Sequence, residues 1–273
     1  MRFIFIYFGL ISACGAQLGC SLEQTSTETI YRTLDQFQLA HASGVAIDEA
    51  SGTTYILDAE SGIFKLQADG TAKQLWVRSN ELPRFTDICV IGGGRFVLAA
   101  DGDGYIIDLA LGSAKQHFCL EPGWDPDFDD ALRHQNRAVA CDLTKRMIYG
   151  QPQTVNVTQG NEPVRSEIAT YSLVSGEDIE WRPLPNPTFQ AGGMLLLSTG
   201  NLLMGSGHSL TLFKVHEGTL TPLSSLASFN VQDIAGLTFD RQTNSLVILD
   251  GIQGLLIEID VNSLPEPTRG HFQ

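Results

Sequence analysis

A fivefold internal repeat constrains this chain more than any other feature. Short apolar segments that open on a small or polar pair recur at SGVAID (43–48), TDICVI (86–91), RAVACD (137–142), GGMLLL (192–197) and AGLTFD (235–240), so successive modules start 43, 51, 55 and 43 residues apart. Each opener leads through a turn into a second apolar run: TTYILDA, RFVLAAD, RMIYGQP, NLLMGSG and NSLVILD. A third run follows at GIFKLQ, GYIIDL, EIATYSL, SLTLFKV and GLLIEID, and fourth runs fit at 72–78, 114–120, 178–184 and 219–225. Asp-Gly pairs at 69–70, 101–102 and 103–104 supply the positive φ that tight hairpins need. Modules of this length cannot bury their faces alone, and stacking them around an axis is what buries the core.

The fifth module lacks a fourth run, because the chain ends in LPEPTRGHFQ. Residues 29–39, TIYRTLDQFQL, form an apolar-polar strand that belongs to no module. Pairing that strand with the fifth module closes a ring and leaves few strand edges exposed. The expectation is therefore an all-β fold over 29–273: a five-bladed β-propeller of four-stranded antiparallel blades, closed by an N-terminal strand, with almost no helix. Charged residues make up only 18% of the chain and hydrophobic ones 43%, which excludes a disordered chain or a coiled coil. Lys and Arg number 17 against 31 Asp and Glu, a formal charge of -14. So acidic a chain is repelled by phosphate backbones, and nucleic acid is not expected as a partner.

The amino terminus reads as an export segment. One Arg precedes an apolar stretch from Phe3 to Ile11, too short to span a bilayer and ending in small residues. Ile11-Ser12-Ala13-Cys14 resembles the bacterial lipoprotein box, which implies a signal peptide over 1–13, lipidation at Cys14 and a polar tether over 14–28. Gly15, where an Asp would retain the protein at the inner membrane, implies an outer-membrane lipoprotein facing the periplasm or the cell surface. No later run is long and apolar enough for a transmembrane helix. The remaining cysteines are Cys20, Cys89, Cys119 and Cys141, without zinc-type spacing. Cys89 and Cys141 lie in apolar strand patterns and read as buried free thiols, with a Cys119–Cys141 bridge as the alternative.

The openers also carry a family likeness. The pattern S-G-[LV]-[AT]-[FIY]-D, a turn, an apolar strand ending in Asp and a strand like G-[LI]-[LIF]-x-[LI] is best represented by Ser43 to Asp48 and by Ala235 to Asp240 running on to Asp250. It resembles the SdiA-regulated family of bacterial five-bladed propellers, over roughly 30–262. The resemblance implies a fold and a compartment more than a reaction. Members often carry Glu-Gly at the second and third openers, where this chain has Thr86-Asp87 and Arg137-Ala138. In related propellers such carboxylates point into the channel and hold calcium, so their loss weakens a metal role there.

Candidate site residues are few. His41 before the first opener, Asp87 and Arg137 in the second and third, and His208 at the end of a strand are candidates for the channel or a binding surface. Asp125, Asp127 and Asp129 alternate in one loop, a spacing that suits the oxygen ligands of Ca²⁺, but an EF-hand is excluded because Asp130 and Asn136 stand where Gly and Glu are required. Ser206 beside His208 is not a nucleophile elbow, and no catalytic set emerges. The sequence reads first as a lipid-anchored binding or scaffold module for a protein, peptide or glycan. The alternative is a metal-dependent hydrolase of lactonase or phosphoesterase type using Asp87, Asp48 and Asp240. No cofactor is expected beyond a possible Ca²⁺.

Overall fold

The structure, a computed structural model, describes residues 29–34, 39–100, 103–119, 135–153, 166–186 and 189–272. Twenty strands form five four-stranded antiparallel sheets in a ring. Blade 1 holds β2 (Ala42–Asp48), β3 (Thr53–Asp58), β4 (Gly62–Leu66) and β5 (Ala72–Val77). Blade 2 holds β6 (Phe85–Gly92), β7 (Arg95–Ala100), β8 (Asp103–Asp108) and β9 (Ser113–Cys119). Blade 3 runs β10 (Gln135–Asp142), β11 (Met147–Gln153), β12 (Glu167–Ser172) and β13 (Asp178–Pro183). Blade 4 runs β14 (Gly193–Leu196), β15 (Leu202–Ser206), β16 (Ser209–Lys214) and β17 (Thr219–Ser225). Blade 5 is β18 (Ile234–Asp240), β19 (Ser245–Asp250) and β20 (Leu255–Asp260), completed on its outer edge by β1 (Ile30–Thr33).

The closing strand is shorter than the expected 29–39. β1 pairs antiparallel with β20, Ile30 opposite Glu258 and Thr33 opposite Leu255, and an Arg32–Glu258 ion pair at 2.9 Å lies across the seam. Among the described residues the only helical turns are short 3-10 turns, such as Ala227–Phe229 and Val261–Ser263.

The core is divided among the seams between blades. Each of five clusters joins two neighbours: Leu57 and Ile63 of blade 1 pack on Phe85 and Phe96 of blade 2, and Leu34, Val45 and Ile56 pack on Leu249 and Leu256 across the ring closure. Second strands are buried on both faces, as at β19 where all six residues are buried, which is why their sequences read as continuous apolar runs rather than alternating ones. Each fully buried Leu or Ile contributes about 1.5–3 kcal/mol, so losing one blade would uncover two clusters.

One cysteine expectation is corrected here. Cys89 on β6 and Cys141 on β10 form a disulfide with Cα atoms 6.1 Å apart; they are neither free thiols nor, for Cys141, bonded to Cys119. The bridge joins the innermost strands of adjacent blades, and residues 52 apart in sequence become neighbours only when blades 2 and 3 pack together.

Candidate functional site

The five innermost strands β2, β6, β10, β14 and β18 run the same way along the axis, and its two ends differ. At their beginnings the register shifts after Ala42, Phe85, Asn136 and Ile234, a bulge-type irregularity that locally bends a strand. The residues just past that point are Gly44, Asp87, Ala138 and Gly236, with Gly193 at the start of β14. Backbones meet there. A Cβ on Gly236 would lie 2.8 Å from Val45 N, and one on Gly193 would lie 2.7 Å from Leu237 N. Only glycine permits that approach.

Asp87 is the one large side chain in this ring. It is 2% exposed and packs against the Gly44 backbone. Its Oδ1 accepts from Ile88 N at 2.9 Å and its Oδ2 from Val139 N of the next blade at 2.9 Å. Burial pushes its carboxyl well above the usual carboxylate range, and the two amide donors offset only part of that. Asp87 is therefore an axial bridge between blades rather than a solvent-facing ligand.

At the other end the strands splay into a funnel of about 910 Å³. Its wall is apolar, with Val90, Leu196, Leu237 and Phe239 beside the Cys89–Cys141 bridge. Its rim carries Thr144, Ser198 and Thr199, together with cations that already have partners. Lys145 Nζ lies 3.6 Å from Asp142 Oδ2, and Arg241 Nε lies 3.1 Å from Glu49 Oε1.

The candidate residues do not converge. His41 is half exposed on the ring-end face, its Nε2 3.3 Å from Glu60 Oε2, and Glu60 also pairs with Arg84. His208 is exposed in the turn between β15 and β16, and its carbonyl accepts from Leu226 N at 2.7 Å. Arg137 lies on β10, with its side chain outside the described residues. Asp125, Asp127, Asp129 and Cys14 also lie outside them.

The acids of the hydrolase alternative are spread along the axis. Asp48 stands four residues along β2 from Gly44, roughly 13 Å at strand rise. It caps its own turn, accepting from Ala50 N at 3.2 Å and Ser51 Oγ at 2.8 Å. Asp240 likewise accepts from Gln242 N at 2.8 Å. The strand-ending acids stitch loops instead. Asp58 accepts from His41 N, and Asp250 from Gln232 N and Gln253 N, at 3.0, 2.6 and 2.8 Å. Among the described residues no three His, Cys, Asp or Glu side chains gather to hold a metal ion.

The sequence reading missed the disulfide, the axial bridge and the funnel. Aligning the openers held part of the signal, since it places Cys89 and Cys141 on adjacent innermost strands and Asp87 level with three glycines and an alanine.

No family model matches the chain, and no curated protein matches it. Solved structures share the fold. A gluconolactonase from Xanthomonas campestris, important in glucose secondary metabolic pathways, is 15% identical over 85% of this chain and 89% of its own, with a TM-score of 0.53. A calcium-binding regucalcin from Agrobacterium tumefaciens is 14% identical over 84% and 93%, with a TM-score of 0.51. The nidogen/laminin complex contains a chain 15% identical over 78% and 77%, also at 0.51. Fold and comparisons together define the class: an all-β five-bladed propeller similar in architecture to the gluconolactonase and regucalcin structures. The SdiA-regulated likeness stays a likeness of sequence pattern.

Proposed function

We propose that this chain is an exported, lipid-anchored propeller that binds a small amphipathic molecule in its axial funnel. The observation that carries the reading is the funnel itself. Its volume, apolar wall and hydroxyl-bearing rim match the size and lining of small-molecule sites. Because the rim cations are already paired, the favoured ligand is apolar on one side and hydroxylated rather than multiply charged on the other. The lipid anchor at Cys14 comes from the sequence alone. The disulfide supports export, because such bonds persist in oxidising compartments.

The test uses anilinonaphthalene sulfonate as the probe. Saturable fluorescence with one site per chain, weakened at least about tenfold by Phe239→Asp, supports the funnel; binding untouched by that change removes it.

The second reading is hydrolysis of lactone type. Likeness to a gluconolactonase and to a calcium-binding regucalcin supports it, and on the comparisons alone it stands ahead of binding. The described residues do not fit a calcium centre, because both oxygens of Asp87 are taken by backbone amides and Asp48 and Asp240 cap turns. No step is routed through a metal here. Turnover of glucono-lactone, together with a calcium-dependent rise in melting temperature that chelator reverses, would install this reading over the first.

A further inference from the structure

Among the described residues, eight large apolar side chains stand exposed, and their positions are uneven. Five of them, Ile30, Leu111, Leu143, Val174 and Ile179, lie at the funnel end of the ring. Leu143 follows Asp142 on the funnel rim. Leu111 tops the turn after Asp108, which pairs with Arg95 and through it with Gly92 of the rim. Val174 tops the turn after Ser172, the partner of Met147, which pairs with Asp142. Ile179 adjoins Asp178, the partner of Tyr171. Four of the five therefore crowd into the neighbouring blades 2 and 3, at 76% exposure for Leu111, 52% for Leu143, 68% for Val174 and 56% for Ile179.

Two further observations say what covers this patch. The first is where the chain enters. Ile30 pairs with Glu258, two residues from Asp260, whose partner Ser245 pairs with Asp240. The N-terminal segment thus joins the propeller on the funnel end. Fourteen residues lie between Cys14 and Thr29, a span of at most about 54 Å when extended. The second is local charge. Arg95, Lys145 and Arg146 are exposed around the apolar tips in a chain whose net charge is -14. Asp108 caps Ala110 N and Leu111 N. Asp142 caps Lys145 N and pairs with its Nζ at 3.6 Å, which leaves Arg95 and Arg146 as the cations of the sector without an acidic ion-pair partner among the described residues. Glu177, Asp178 and Glu180 are the exposed acids of this sector, held to Ser175 Oγ, Trp181 Nε1 and the Arg182 guanidinium.

We infer that the funnel end of the propeller docks on an anionic lipid bilayer, with Leu111, Leu143 and Val174 entering the headgroup boundary and the funnel opening onto it. The inference rests on the lipid-anchored reading above and gives it an orientation. A lipid chain recruits the domain, and the apolar turn tips with their cationic neighbours set which face lies down, because interfacial binding scales with buried apolar area plus attraction to anionic lipid. The ligand class follows: the funnel meets molecules of the headgroup zone, apolar at one end and hydroxylated at the other.

The test takes the full chain and vesicles of phosphatidylethanolamine with phosphatidylglycerol. In the Cys14→Ser background the folded chain retains salt-sensitive vesicle binding. The triple change Leu111→Asp, Leu143→Asp, Val174→Asp weakens it at least about tenfold with an unchanged melting temperature, as expected for exposed tips. In the wild-type background, Leu111→Trp is quenched by brominated lipid while Ile252→Trp, on the opposite face, is not. Equal quenching at both positions, or vesicle binding indifferent to the triple change, overturns the docking face. Loss of a wild-type dimer in the triple variant without any vesicle effect assigns the patch to a second copy of the chain and overturns it as well. Failure of the anchor is read separately, from detergent-phase partitioning of wild type against Cys14→Ser.

Discussion

The two ends of the propeller axis are built from the same five strands and could hardly differ more. At the beginnings of the strands, Gly44, Gly193 and Gly236 let backbones touch and Asp87 ties blade 2 to blade 3. At their far ends the strands carry full side chains, diverge and leave a funnel of about 910 Å³. The lesson is that closing the axis is a matter of missing side chains, while opening it needs only that they return. A ring closed by backbone contact tolerates no added volume, whereas a splayed wall absorbs changes in size.

The sharpest way to break the comparison is to add bulk at the closed end. Gly236→Leu should abolish folding, a loss beyond about 4–5 kcal/mol, because a Cβ alone would already sit 2.8 Å from Val45 N. Leu196→Met in the funnel wall should cost under about 1.5 kcal/mol. Urea denaturation compares the two, and similar losses at both ends would refute the contrast.

Next in size is the bridge beside the funnel. Replacing Cys89 and Cys141 together by Ala, or reducing the wild type, should cost about 2–4 kcal/mol given the 52-residue separation. Thermal melting with and without reductant reads it directly, and the double variant should show no response to reductant.

The third prediction sets Asp87 against Asp250. A raised folded value at Asp87 means that the native state holds a proton longer than the unfolded chain does. Its contribution therefore falls as pH rises above the unfolded value of about 3.9. Asp250 is the reverse. Burial lifts it, but donors from Gln232, Gln253 and Asp233 outweigh burial and hold it below the usual range. Its contribution is complete above about 3.9 and is lost as pH falls further. Asp87→Asn should flatten the stability profile above about pH 4, and Asp250→Asn should flatten only the acid limb. Chemical denaturation across pH measures both, and a shared limb would show that the two carboxyls are not in different environments. Smallest of all, Ser198→Ala on the exposed rim should change stability by less than about 0.5 kcal/mol.

Much of the fold was legible in the residues. The five openers predict five innermost strands, and the structure places β2, β6, β10, β14 and β18 on them. The unpaired segment before Ser43 predicts the closing strand, and Ile30–Thr33 pairs with β20 accordingly. Site residues were harder to read. Asp48, Asp87 and Asp240 look alike in the sequence as opener acids, yet one is an axial bridge and two cap turns. A carboxylate next to a free amide is satisfied locally, and sequence spacing does not show which amide the fold delivers to it.

Short apolar runs and turn signals such as Asp69-Gly70, acting over a few residues each, were enough to set the strands, the number of blades and the means of closure, although Asp103-Gly104, expected in a turn, lies on β8. The tertiary structure alone decided the Cys89–Cys141 partnership, the burial of Asp87 between blades and the exposure of apolar tips on one face. Each depends on which strands become neighbours around the ring and on how close their backbones come, and in this chain those neighbours are about fifty residues apart in sequence.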